Sequence, residues 1–96
     1  MLTPPAYEEF ELRIEQRGGG TAAWTPALPQ LRLFSYDPDR PLHDLLPVAT
    51  RLMQRRRGKS YRVAVIPAGQ TEELTELDWL PPGGGHRLIA VREDGS

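Results

Sequence analysis

The sequence predicts a single α+β domain: a four- to five-stranded mixed or antiparallel sheet with one main helix on one face, in the order βββαβ(α)β. Three observations carry that reading. Residues 9–15 alternate strictly between charged and apolar side chains, the period of a half-buried strand. Residues 41–54 repeat apolar groups at helical spacing. Two further apolar runs, 60–67 and 86–92, are short and bounded by Gly or Pro, as strands are. A chain of 96 residues leaves no room for a second core, so 1–96 is read as one domain, with 1–6 and 93–96 as flexible ends.

In the first strand Phe10, Leu12 and Ile14 point one way, and Glu9, Glu11, Arg13 and Glu15 the other. Gly18-Gly19-Gly20 supplies the positive φ of a hairpin. Thr21–Thr25 is a short return strand, stopped by Pro26 and Pro29 because proline cannot donate to a ladder. Leu31–Tyr36 is a third strand. Asp37-Pro38-Asp39 is a turn and a helix-start signal together. In the helix over 41–54, Leu42, Leu45, Leu46, Ala49, Leu52 and Met53 fall within a stripe of about 100°. An interior Pro47 costs about 3 kcal/mol, but it falls on the solvent side. The expectation is therefore a kinked helix, or a loose first turn with the regular helix starting at Pro47; Gly58 ends it. Ser60–Pro67 is a fourth strand, apolar on both faces. The acids of Thr71–Leu74 suit a helix N-terminus, predicting one or two helical turns up to Trp79. Pro81 to Gly85 is a loop, and His86–Arg92 the last strand.

One helix covers only one face of such a sheet, yet several strands carry apolar groups on both. Phe34, Tyr36, Ala64, Ile66, Ile89 and Val91 therefore make the candidate interaction surface. It is covered by the Thr71–Trp79 segment, by a second copy of the chain, or by a partner protein.

Composition narrows the function classes. Twelve Lys+Arg against thirteen Asp+Glu give a net charge of −1, so no whole-molecule field recruits nucleic acid or a membrane surface. Absence of cysteine removes disulfides, thiol nucleophiles and cysteine metal sites. No apolar run reaches the roughly 18 residues of a membrane span, and MLTPPAYEEF lacks the basic-then-apolar pattern of a signal peptide; the expected location is cytoplasmic. Missing Asn, ten prolines and a single lysine, Lys59, fit either a heat-adapted source or a GC-rich genome.

Little in the chain points to catalysis. His43 and His86 sit in no HxH or HExxH spacing. Asp37, Asp39 and Asp44 read as helix-start caps rather than magnesium ligands. Ser35, Ser60 and Ser96 lack a strained elbow motif. Both Gly-Gly-Gly runs precede strands, whereas a phosphate cradle needs a helix N-terminus. No enzyme activity, cofactor, metal or small-molecule substrate is expected. The strongest charge feature is the basic cluster Arg51, Arg55, Arg56, Arg57, Lys59 and Arg62. Successive arginines fan out about 100° apart around a helix end, where cations also complement the dipole. Trp24 and Trp79, each followed closely by proline, read as core anchors.

The stretch FELRIEQRGGGTAAWTPALPQLRLFSYDPDRPLHDLLPVATRLM, residues 10–53, resembles the HicB-like antitoxin domain. Trp24 to Pro29 match that family's aromatic and Pro-x-Leu-Pro turn, and Leu42–Met53 match its amphipathic helix. Gln30 stands where the family has a glycine, and 60–96 read as strand, short helix and strand in place of an operator-binding segment. The resemblance implies a truncated RNase H-like sheet without nuclease acids, which grips another protein, typically a small RNA-cleaving toxin, or a second copy of itself. The expected function is thus a non-enzymatic protein-interaction module working through a sheet face or strand edge. Two alternatives stand beside it. One is a β-grasp-like or phage-encoded assembly component, whose first and last strands lie side by side and parallel. The other is a nucleic-acid accessory protein using Arg51, Arg55, Arg57, Lys59 and Arg62.

Overall fold

The computed structural model describes residues 6–58 and 60–93. Its elements are β1 (Tyr7–Arg17), β2 (Gly20–Thr25), β3 (Leu28–Ser35), α1 (Leu45–Arg57), β4 (Tyr61–Ile66) and β5 (Gly83–Arg92). The strands form one five-stranded sheet in the order β3-β2-β1-β5-β4, every neighbouring pair antiparallel. The α+β class and the single main helix are as the sequence predicts. β1 and β5 do lie side by side at the centre, but antiparallel, so the parallel central pair of a β-grasp is not formed. Of the expected flexible ends, 1–5 and 94–96 lie outside the described residues. Ala6 and Glu93 are tied in: the Arg92 N–H donates to the Ala6 carbonyl at 2.8 Å and the Glu93 N–H to the Ser60 carbonyl at 3.0 Å.

The alternation in β1 works as read. Phe10, Leu12 and Ile14 are buried in one core with Val63 and Val65 of β4, Leu88 and Ala90 of β5, and Leu45, Ala49 and Met53 of α1. The β1–β2 turn has Gly18 at φ 53° and Gly19 at φ 85°, the two successive positive values that a tight hairpin needs. Pro29 does not stop the chain. β3 begins at Leu28, directly after a Pro26–Ala27 turn, and its pairing with β2 is irregular between Trp24 and Thr25. A proline is tolerated there because β3 is an edge strand, with one side of its ladder unused.

Pro47 is the third residue of α1. A helix leaves its first N–H groups without partners inside the helix, so the N–H that proline lacks is one the helix does not use. The first regular bond comes one residue later, from the Val48 N–H to the Asp44 carbonyl at 3.1 Å. Residues 41–44 form turns ahead of the helix, the loose start anticipated, although the helix begins at Leu45 rather than at Pro47. The acids play another part than capping. Asp44 occupies the N-cap position without a side-chain cap bond, while the Asp37 carboxylate accepts from the N–H groups of Asp39 and Arg40 at 2.9 and 3.2 Å, closing a turn well before the helix. Gly58, at φ 69°, terminates α1.

The helix expected within Thr71–Trp79 is absent. Leu74 instead makes an isolated bridge to Val65 of β4, donating to its carbonyl at 2.7 Å and accepting from its N–H at 3.0 Å. Once its backbone groups serve β4 they cannot serve a helix. Leu77 and Leu80 are buried in the main core, and Leu74 packs against it. β5 starts at Gly83 rather than at His86, with a register shift opposite β1 between Leu12 and Ile14; Gly83 and Gly85 hold positive φ in this irregular stretch. His86 is buried. Its Nδ1 accepts from the Ala68 N–H at 3.0 Å, so Nε2 carries the proton and donates to the Pro81 carbonyl at 2.9 Å.

Two substitutions test this account. Pro47→Ala leaves the stability measured by urea denaturation within about 1 kcal/mol of the parent, against the roughly 3 kcal/mol that an interior helix proline is worth. His86→Ala strands one backbone donor and one acceptor and opens a cavity, and lowers stability by about 2–4 kcal/mol.

Candidate functional site

The two ends of the sheet differ on the face away from α1. Over β4 and β5 that face is closed. Ala64, Ile66 and Ile89 form a small cluster, all buried within the single chain, and Val91 is partly buried. Charged side chains lie around them: Arg87 reaches Glu9 at 3.4 Å and the Gln70 carbonyl at 3.5 Å, and Arg62 bonds Glu73 at 2.8 Å. Long arginine stems cover apolar surface while their heads stay wet. Ala64, Ile66 and Ile89 are therefore not an open docking face; the loop from Pro67 to Leu74 and these ion pairs complete their burial. Of the three covers the sequence leaves open for these residues, the chain itself supplies the one found for Ala64, Ile66 and Ile89.

Over β2 and β3 the outer face is open. Phe34 is 47% exposed and Tyr36 71%, and their rings meet edge to face at 4.7 Å, a favoured aromatic geometry. Trp24, read earlier as a core anchor, is part of this face. Its indole N–H donates to Glu15 at 3.2 Å, and the guanidinium carbons of Arg13 and Arg32 lie 5.9 and 6.0 Å from its ring centre, within cation–π range. A slot of about 230 Å³ lies between Trp24 and Phe34 over Ala22, with Glu15, Arg17 and Arg32 along it. Gly20 seats Phe34: a Cβ there falls 2.6 Å from the end of the Phe34 ring and 2.8 Å from the Ser35 carbonyl oxygen.

Charges on this face are largely matched. Arg13 pairs with Glu11 and Arg17 with Glu15, both at 2.9 Å, and Asp37 and Asp39 follow Tyr36 in the chain. Arg32 has no carboxylate partner among the described residues. No backbone hydrogen bond joins β3 to any described segment other than β2, although Leu33, Phe34 and Ser35 line one cavity with Asp37, Arg40 and His43 of the segment that follows.

The basic cluster does not assemble into a patch. Arg57 forms a two-pronged ion pair with Glu8, its Nε donating at 3.0 Å, and the carboxylate raises the Arg57 pKa further above its ordinary value. Arg62 is engaged with Glu73, and Arg56 donates to the Ala27 carbonyl at 3.3 Å. Lys59 lies outside the described residues. Among the described residues, Arg51 and Arg55, one turn apart on α1, have no ion pair. Two such cations give little phosphate affinity.

The other chemistry-bearing groups are dispersed. His43 is exposed, and its Nδ1 lies 2.8 Å from an Arg40 nitrogen and 3.7 Å from Asp78, with no nucleophile in the arrangement. Among the described residues no group of His, Asp or Glu is placed to hold a metal ion, and no helix is long and apolar enough to cross a membrane.

Comparisons with family models, with curated proteins and with solved structures find no match for this chain. The likeness of residues 10–53 to HicB-like domains accordingly rests on its own residues.

Gly20→Ala tests the seating of Phe34. The new methyl cannot avoid the Ser35 carbonyl, so the urea midpoint falls by an amount worth about 1–3 kcal/mol. Adding Phe34→Ala recovers only the share due to the ring.

Proposed function

We propose that this chain is a non-enzymatic protein-interaction module that docks through the edge and outer face of β3. The observation that carries the reading is a coincidence of place. One edge of the sheet, β4, is bridged at Val65 by Leu74 of the same chain, while the other, β3, has no ladder partner but β2 among the described residues and carries Phe34, with Tyr36 just beyond its end. An unpaired edge is a template for another strand, and adding a strand to such an edge is a common mode of peptide recognition. Partner-gripping is also what the HicB-like resemblance implies. The reading needs no cofactor, and a cysteine-free chain suits a reducing, cytoplasmic setting.

Nucleic acid is the weaker reading. Aromatics beside arginines suit base stacking, but Glu11 and Glu15 neutralise Arg13 and Arg17, and Asp37 and Asp39 add negative charge at the Tyr36 end.

The test is a benzophenone side chain placed in turn at positions 34, 36 and 51 and irradiated in cells. Positions 34 and 36 are expected to give a discrete protein adduct, either with another protein or with a second copy, that position 51 on α1 does not. Adducts no stronger than those from 51, or adducts with nucleic acid, would overturn the proposal.

A further inference from the structure

Resting on that reading, we infer that the partner anchors one aromatic side chain in the slot over Ala22 and sets a carboxylate beside it on Arg32.

The slot follows from the register of the outer face. Across β1, β2 and β3 that face reads Arg13, Trp24, Arg32 in one row and Glu15, Ala22, Phe34 in the next, with Arg17 opposite Gly20 beyond them. Ala22 and Gly20 leave the middle strand low among long or aromatic neighbours. The depression is therefore set by strand pairing, not by a loop. Its walls are held within the chain. Phe34 is seated on Gly20 and meets Tyr36 edge to face. Trp24 is tied to Glu15 and has the guanidinium groups of Arg13 and Arg32 over its ring. Walls already fixed cost little further ordering when something enters.

Size and charge define the occupant. A space of about 230 Å³ is smaller than the roughly 300–1,000 Å³ of small-molecule sites. It still accepts a ring, since an apolar cavity of about 150 Å³ holds benzene. That is room for one anchor side chain of a protein partner, and the aromatic walls favour an aromatic one. The charges then ask for an acid. Arg13 pairs with Glu11 and Arg17 with Glu15, whereas Arg32 has no carboxylate partner among the described residues and contacts the Trp24 ring alone. An arginine that lies over an aromatic ring keeps the N–H donors along its edge for a carboxylate. A nucleic-acid strand also offers rings and anions, but its repeated phosphates would meet a single unpaired cation on this face.

The probes are the capped dipeptides Phe-Glu and Glu-Phe, titrated into the isotopically labelled chain and followed by NMR. At least one is expected to give saturable shifts of the Trp24 indole N–H and the Ala22 amide. Replacing its Glu by Gln, or its Phe by Ala, weakens binding by about fivefold or more. Ala22→Leu, which fills the slot, and Arg32→Gln, which removes the charge, each do the same; circular dichroism confirms that both variants are folded. No saturable shift from either dipeptide, equal binding of the Gln or Ala analogue, or tighter binding of a thymidine hexanucleotide overturns the inference.

In cells the benzophenone adduct from position 36 is expected to weaken when Ala22→Leu or Arg32→Gln is added. A protein adduct undiminished by both substitutions overturns the anchor and leaves the interaction-module reading standing. If positions 34 and 36 give no protein adduct, both fall.

Discussion

The row Phe10, Leu12 and Ile14 on β1 sets the terms for the rest of the molecule. β1 is the central strand, paired with β2 on one side and β5 on the other. Because facing residues share a face, its alternation dictates which side chains of every other strand reach α1. Val63 and Val65, Leu88 and Ala90, and Leu31 are buried on that side. The charged row Glu9, Glu11, Arg13 and Glu15 likewise commits the opposite face to water or to ion pairs. A slip of one residue in β1 would place four charges under the helix.

That constraint makes the outer face a mosaic. Where β4 and β5 bring Ala64, Ile66 and Ile89 to it, neighbouring arginines and the 67–74 loop close the gap. Where β2 and β3 bring Ala22, Trp24 and Phe34, the loop is too far away, and the neighbours are Arg13, Arg17 and Arg32. The same chain therefore finishes one end of its sheet and leaves the other unpaired. The finished end also carries the ion pairs of Arg57 and Arg62, which removes two cations from the cluster that dominates the charge pattern of the sequence.

Most of the fold was legible because it is written in local periodicity and turn chemistry. The alternation of β1, the two glycines of the first hairpin, the stripe of α1 and its glycine terminator each report their own conformation. The misread elements are those decided by distant partners. Nothing local tells that the backbone of Leu74 belongs to Val65, so the acids at 72–73 suggested a helix. Pro29 looked like a strand terminator because edge position is a property of the sheet, not of the segment. Of the candidate surface, Phe34 and Tyr36 are exposed as expected. Ala64, Ile66 and Ile89 are not, since the ion pair of Arg62 with Glu73 and the reach of Arg87 to Gln70 span 11 and 17 residues. Trp24 was assigned to the core on its type alone, although its place in the outward row of Ala22 and Trp24 was available from the alternation of β2.

The pairing of β5 with β1 has a consequence for how the molecule is made. The meander of β1, β2 and β3 can fold as soon as it leaves the ribosome, yet the second side of its central strand has no mate until β5 emerges after every other element. Until β5 emerges, the nascent domain has Phe10, Leu12 and Ile14 only half sheltered and an inner ladder open. Closure joins distant segments, Glu9 to Ile89 among them, and such long-range pairings form slowly and expose the chain to misassembly. The eleven-residue central strand that organises the finished domain is, during biogenesis, its most vulnerable part.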